Sequence, residues 1–296
     1  MPKEFRPERT FARELYEKKE AGYERGKNVH IKVSFICQKE LGESALAGLP
    51  EIIKAMDRGK EIPHQYIMVA SSRIREPEMA ALELESATGP EGMATAVNKR
   101  IQREKVGLEE LAAREYIIYR HGDLDPVKRL KNIWLEGEKK AEEAVDRGEI
   151  PADKKENYQY EYYLNNPDRA KELGAQTPRE VAQDMAHRVA SCLQMSGRLY
   201  EGIDLNARNY THVPKLECLL KYVLRQKSGK LGFDKLDEVG GPFKSGESFD
   251  LDVKRDEKGD LKPVRILRGG KELGILDLDA VRELEEEYRK RKEEKE

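Results

Sequence analysis

Two short β-type runs, His30–Cys37 (HIKVSFIC) and Tyr66–Ala70 (YIMVA), each precede a segment with helical spacing. This alternation constrains the fold more than any other feature of the chain. The first run alternates and is partly β-branched or aromatic. The second is continuously apolar, as in strands buried on both faces. Leu49–Arg58 (LPEIIKAMDR) reads as a short amphipathic helix closed by Gly59. Pro77–Thr88 reads as another, with Met79 and Leu82 as apolar contacts and Gly89-Pro90 as its stop. Strand–helix–strand–helix order predicts a parallel α/β sheet.

The same transition recurs in Asn206–Lys227 (NARNYTHVPKLECLLKYVLRQK). Leu216, Leu219, Leu220, Val223 and Leu224 form one apolar helical stripe, and Pro214 suits the first turn. His212 then falls between a strand end and a helix start. There, free N–H groups and the helix dipole favour an anion such as phosphate. The alternative is a histidine that caps the helix or lines the edge of the core.

The chain has 296 residues, enough for one large α/β domain or two small ones. Residues 1–28 form a charged extension, 29–278 the α/β domain and 279–296 a charged helix expected to fray after Tyr288. Within the domain, 91–176 reads as an inserted helical region. It holds a polar helix over Ala94–Glu110, a strand-like Tyr116–Tyr119 and a long helix over Val127–Asp146. Thr177 and Glu180 have capping-box spacing, with Pro178 at the first helical position. The helix they open carries Val181, Met185, Val189 and Cys192 on one side. Glu247–Lys254 and Leu261–Arg268 flank an Asp256–Asp260 turn, a C-terminal β-hairpin. The expected architecture is a three-layer α/β sandwich with a mainly parallel central sheet, the helical insertion and that hairpin.

Basic and acidic residues number 55 and 57, a near balance that argues against nucleic acid or an anionic membrane as partner. No apolar run reaches the length of a membrane span. Cys37, Cys192 and Cys218 are far apart and form no CxxC pair, which fits reduced thiols in a cytoplasmic protein without a zinc site.

Three pieces line up in order. The first strand runs into Cys37-Gln38-Lys39-Glu40. The second runs into Ser71-Ser72 and a helix with Ala80-Ala81. Tyr210-Thr211-His212 leads into the apolar helix. The arrangement resembles the histidine phosphatase superfamily, the phosphoglycerate-mutase-like fold, over roughly residues 30–90 and 177–270. That family carries Arg-His-Gly-Glu after its first strand, Ser-Ser-x-x-x-Arg-x-x-x-Thr-Ala after its second, and Ser/Thr-His-Gly before a late apolar helix. The resemblance implies a pocket for a phosphoryl group, with no cofactor and no metal. His212 stands for the second pocket histidine and Glu40 for the family's glutamate. Ser72, Lys39 and a guanidinium from Arg73 or Arg75 are then the phosphate-binding candidates.

The departures from the pattern are chemical. Gln38 takes the place of the nucleophilic histidine, and an amide nitrogen has no lone pair to attack phosphorus. Cys37 takes the place of a phosphate-binding arginine, and Glu76 that of another, where a carboxylate would repel phosphate. The implied protein is a catalytically impaired relative that binds a phosphorylated small molecule or a protein partner. The alternative is an active phosphomonoesterase using His212, the nearby arginines and His121. The last lies in Arg120-His121-Gly122, which spells the family's triplet out of order. Its other reading is a strand-exit turn.

Overall fold

The computed structural model describes residues 21–38, 65–71, 116–120, 123, 125–202 and 204–294. The helices expected over 49–58, 77–88 and 94–110 lie outside them.

Eight strands form one sheet: β1 (His30–Gln38), β2 (Gln65–Ser71), β3 (Tyr116–Arg120), β4 (Asp204–His212), β5 (Leu224–Gln226), β6 (Ser248–Lys254), β7 (Arg265–Arg268) and β8 (Lys271–Leu276). Their order across the sheet is β3-β2-β4-β1-β6-β7-β8-β5. The pairs β1–β4, β4–β2 and β2–β3 are parallel, whereas β1–β6, β6–β7, β7–β8 and β8–β5 are antiparallel. The sheet is therefore mixed, with antiparallel pairs in the majority, and not mainly parallel as the strand–helix alternation predicts. Connection length explains the difference. Parallel neighbours need a crossover of a dozen residues or more. The chain beyond β6 instead turns back after ten residues into β7 and after two into β8. Gly259 at φ +85° serves the turn before β7, and Gly269-Gly270, both at positive φ, join β7 to β8. The expected hairpin is the β6–β7 pair, extended by β8. β3 joins the sheet edge from within the region read as an insertion.

Six helices are described: α1 (Lys131–Asp146), α2 (Lys155–Asn165), α3 (Pro167–Glu172), α4 (Pro178–Ser196), α5 (Lys215–Val223) and α6 (Leu278–Glu293). α1 starts four residues later than its pattern suggests, because Arg129 takes a positive φ of 52°. α4 opens with the expected capping box: Thr177 Oγ1 accepts from the Glu180 N–H, and the Glu180 carboxylate accepts from the Thr177 N–H. α5 buries the predicted stripe of Leu216, Leu219, Leu220 and Val223. Each such side chain contributes about 1.5–3 kcal/mol, more than any propensity term in a helix this short. α5 ends at Val223, one residue before the stripe does, because Leu224 turns extended and pairs with Leu276.

α6 runs to Glu293 without the expected fraying after Tyr288. Arg291 donates to the Asp184 carboxylate and to the Glu180 carbonyl, holding the last turns on α4. The basic residues of that turn also complement the helix dipole. Asp277 is the buried N-cap of α6 and accepts from the Ala280 N–H at 2.9 Å.

The core lies between one face of the sheet and α4, α5 and α6. Ile31, Val33, Phe35 and Cys37 of β1 meet Leu205 and Ala207 of β4 and the apolar faces of these helices. Tyr160 and Tyr163 of α2 are fully buried, and Trp134 packs edge-on to Tyr160 at 4.6 Å. Among the described residues, no helix is long and apolar enough to cross a membrane.

Candidate functional site

Because β1 to β4 run parallel, their C-terminal ends share one edge of the sheet. The register puts Gln38 level with His212 and Cys37 level with Thr211. On the other side of β4, Ala70 of β2 is level with Asn209, and Ser71 is level with Arg120 of β3. The chain leaves β1 toward β2, beyond β4. It leaves β4 through α5 toward β5, at the opposite edge of the sheet. Adjacent strands whose connections depart in opposite directions open a crevice at their carboxyl ends, where α/β sheets bind ligands. Gln38 and His212 stand at that crevice.

His212 is partly buried and ends β4. Val213-Pro214 follows, joined by a cis peptide bond, and Lys215 and Glu217 occupy the first turn of α5. Pro214 is the N-cap, just ahead of the turn it was expected to open. Glu217 is fully buried and accepts the Phe243 N–H at 2.7 Å. Cys37 is fully buried too, its thiol donating to the Phe243 carbonyl at 3.6 Å. At the arginine position of the resembled motif, the chain therefore has a core thiol.

The loop carrying Phe243 is built by Arg268. Its guanidinium donates to the carbonyls of Val239, Gly241 and Pro242 and to the Glu247 carboxylate, and lies 3.9 Å from the Phe243 ring centroid. The Cys37 N–H donates to the Glu247 carbonyl at 2.8 Å, fixing the loop to the end of β1.

A second polar cluster flanks the same edge. The Lys215 ammonium donates to the backbone carbonyl of Asp123, and Tyr288 of α6 donates to the Asp123 carboxylate at 2.8 Å. His187 of α4 stacks on Tyr288 at 4.4 Å, with Glu285 3.6 Å from its Nδ1. Lys215 is 1% exposed, and burial lowers its pKa, opposed by the charges of Asp184 and Asp123. Burial raises the thiols of Cys192 and Cys218, so neither has the character of a nucleophile.

The two faces of β4 differ. Asn209 meets α4, where the Arg188 guanidinium donates to its side-chain oxygen at 2.7 Å. Arg208, Tyr210 and His212 alternate onto the opposite face. Arg208 is 9% exposed, and its guanidinium carbon is 5.8 Å from the Tyr210 ring centroid.

Of the sequence candidates, the structure brings His212 and the Gln38 backbone together. Lys39, Glu40, Ser72, Arg73, Arg75 and His121 lie outside the described residues, as does Glu76. Arg208, Asp123, Lys215 and Tyr288 were not foreseen. The signal for Arg208 was the polarity of NARNYT within a strand, and the other three gave none. His30 joins Asp252 at 2.9 Å. Asp250 and Asp252 are largely buried partners of Lys32, Ser34, Lys254 and Arg265. Among the described residues, no group of His, Cys, Asp and Glu is placed to hold a metal ion.

No family model matches the chain, and no curated protein matches it. Solved structures similar to it include the following two. Mycobacterial hydrolase 2 has a TM-score of 0.44 at 12% identity, with 86% of this chain and 95% of that chain covered. Phosphoglycerate mutase from Bacillus anthracis str. Sterne has a TM-score of 0.40 at 11% identity, with 87% of this chain and 97% of that chain covered.

Proposed function

We propose that this chain is a histidine-phosphatase-like protein with Gln38 in place of the nucleophile. Its catalytically impaired pocket binds a phosphorylated small molecule or a phosphorylated protein partner. The observation that carries this reading is the register of β1 against β4, in which Gln38 and His212 are level at the crevice. In the resembled family, those are the positions of the two pocket histidines.

Phosphoryl transfer to an imidazole needs a free ring nitrogen and several fixed cations around the phosphate. Gln38 supplies no such nitrogen, and Cys37 is committed to the core. His212 keeps the capacity to donate to a phosphate oxygen. Ser72, Lys39, Arg73 and Arg75 are the further phosphate ligands, and Glu40 is the retained glutamate. In this reading, helices over 49–58 and 77–88 complete a three-layer sandwich. The three buried free thiols fit a reducing cytoplasm.

The test is a panel of phosphomonoesters and sugar phosphates, with melting curves in inorganic phosphate. The expected result is turnover at background and a melting temperature that rises with phosphate, because a ligand bound only by the folded form stabilises it. His212→Ala should abolish the rise. Robust turnover that disappears in His212→Ala overturns the reading.

One observation favours an active phosphomonoesterase as a second reading. Arg120 ends β3 on the same sheet edge, and Asp123, two residues beyond His121, is tied to Lys215, three residues beyond His212. His121 would then supply the missing nucleophile, with His212 and Arg73 or Arg75 around the phosphate. Turnover lost in His121→Gln supports this version, and turnover unchanged in that variant removes it.

A further inference from the structure

Arg208 is largely buried, and one nitrogen of its guanidinium is left without a hydrogen bond. Its Nε is shielded from solvent, and among the described residues nothing accepts a hydrogen bond from it. The Tyr210 ring, 5.8 Å away, is its one aromatic contact among those residues. Asp250, on the strand beyond β1, is held by Ser34 at 2.7 Å and Lys32 at 3.0 Å. Lys215, a buried cation in the first turn after the same strand, donates to the Asp123 carbonyl.

An unpaired buried ion costs several kcal/mol, and a guanidinium does not escape that cost by releasing its proton. An anion brought against the guanidinium would offset that cost. Arg208 shares a strand face with His212, with Tyr210 between them. The two α-carbons are about 13 Å apart along the strand.

We propose that Arg208 is an anion-binding residue, contacting the same phosphate-class ligand as His212 from farther down β4. The proposal rests on reading the crevice beside His212 as a phosphate pocket. It adds a cation that the sequence motifs do not contain, on a strand and not in a loop. A guanidinium offers a fork of donors matched to two phosphate oxygens, which a strand position holds in fixed orientation.

The experiment is titration of the full chain with inorganic phosphate, by calorimetry and by melting temperature, in wild type, Arg208→Gln and His212→Ala. Arg208→Gln removes the charge and keeps much of the volume. Expected are phosphate binding weakened by about tenfold or more and a ligand-free melting temperature equal to or above wild type. A role in packing alone would do the reverse, lowering the ligand-free melting temperature and leaving phosphate affinity intact. That result overturns the proposal. Phosphate binding lost in His212→Ala but kept in Arg208→Gln overturns the role of Arg208 and leaves the pocket reading standing. No phosphate binding in wild type overturns both. If Arg208→Gln does not fold, Arg208→Lys decides. Weakened phosphate binding at an unchanged melting temperature supports the forked contact, and unchanged binding overturns it.

Discussion

Lys215 donates its buried ammonium to the backbone carbonyl of Asp123, tying the start of α5 to the segment that follows β3. These residues are 92 apart in sequence, and Tyr288 of α6 closes on the Asp123 carboxylate from the other side. Three elements thus meet at one buried aspartate beside the His212 edge. Replacing Lys215 with Met leaves the largely buried carboxylates of Asp123 and Asp184 with less positive charge near them. We expect Lys215→Met to cost about 2–3 kcal/mol in urea unfolding. Combined with Tyr288→Phe, the loss should fall short of the sum by about 0.5 kcal/mol or more, because both act on Asp123. Strict additivity would mean that the three elements are energetically independent.

Asp252 predicts a specific acid sensitivity. Burial pushes its carboxyl up, but hydrogen bonds from Arg265, Lys254 and His30 outweigh this and hold its pKa at about 2, below the ordinary 3.8. A depressed carboxylate contributes stability that is complete above its unfolded pKa and is lost as pH falls through the folded one. Asp252→Asn should therefore cost about 1 kcal/mol at neutral pH, since its half-exposed partners are screened by solvent. The difference between variant and wild type should close between about pH 4 and pH 2. Urea midpoints across that range measure it, and a gap that persists at pH 2 would contradict the assignment.

Local chemistry was readable and long-range pairing was not. The Thr177–Glu180 box involves residues three apart, so propensity and spacing determine it. The ends of β1 and β4 were visible for the same reason, as was a histidine ending the second of them. That His212 is level with Gln38 is a fact of register, and nothing near either residue encodes it. The mixed sheet was missed because strand–helix alternation in the first part of the chain was extended to the whole. The tight turns after β6 set the other direction. Asp123 and Lys215 left no trace, since a lysine after proline reads simply as a helix start. Arg208 did leave one: a charged residue in a strand that the sheet buries.

Two glycines with the same backbone angle separate conformational strain from steric exclusion. Gly148 has φ +70° and nothing within 4 Å of an added Cβ, while Gly232 has φ +71° and would set its Cβ against the Lys221 carbonyl. Gly148→Ala should cost about 1–2 kcal/mol from the left-handed conformation alone. Gly232→Ala should cost a further 1–3 kcal/mol or so, because the carbonyl is backbone and must move. The Gly232 N–H also bonds the Leu224 carbonyl at 2.6 Å, so the shift reaches the end of α5. Equal losses in thermal unfolding would mean that the loop at 228–232 relaxes freely.

Arg268 links stability to the site. Its guanidinium makes four hydrogen bonds at 2.6–3.0 Å to three carbonyls and Glu247, across a planar fork that an ammonium does not reproduce. Arg268→Lys keeps the charge but serves fewer of these acceptors at once, for a loss of about 2 kcal/mol. The consequence travels along short paths. Phe243 is held by Glu217 of α5 through its N–H and by Cys37 of β1 through its carbonyl. These two residues border the ends of β4 and β1, where His212 and Gln38 are level. If the crevice binds phosphate, a loosened 239–247 loop should weaken that binding several-fold although Arg268 itself donates to the loop. Phosphate titration of Arg268→Lys, alongside its urea midpoint, reads both effects. A destabilised variant with wild-type phosphate affinity would confine the role of Arg268 to the fold.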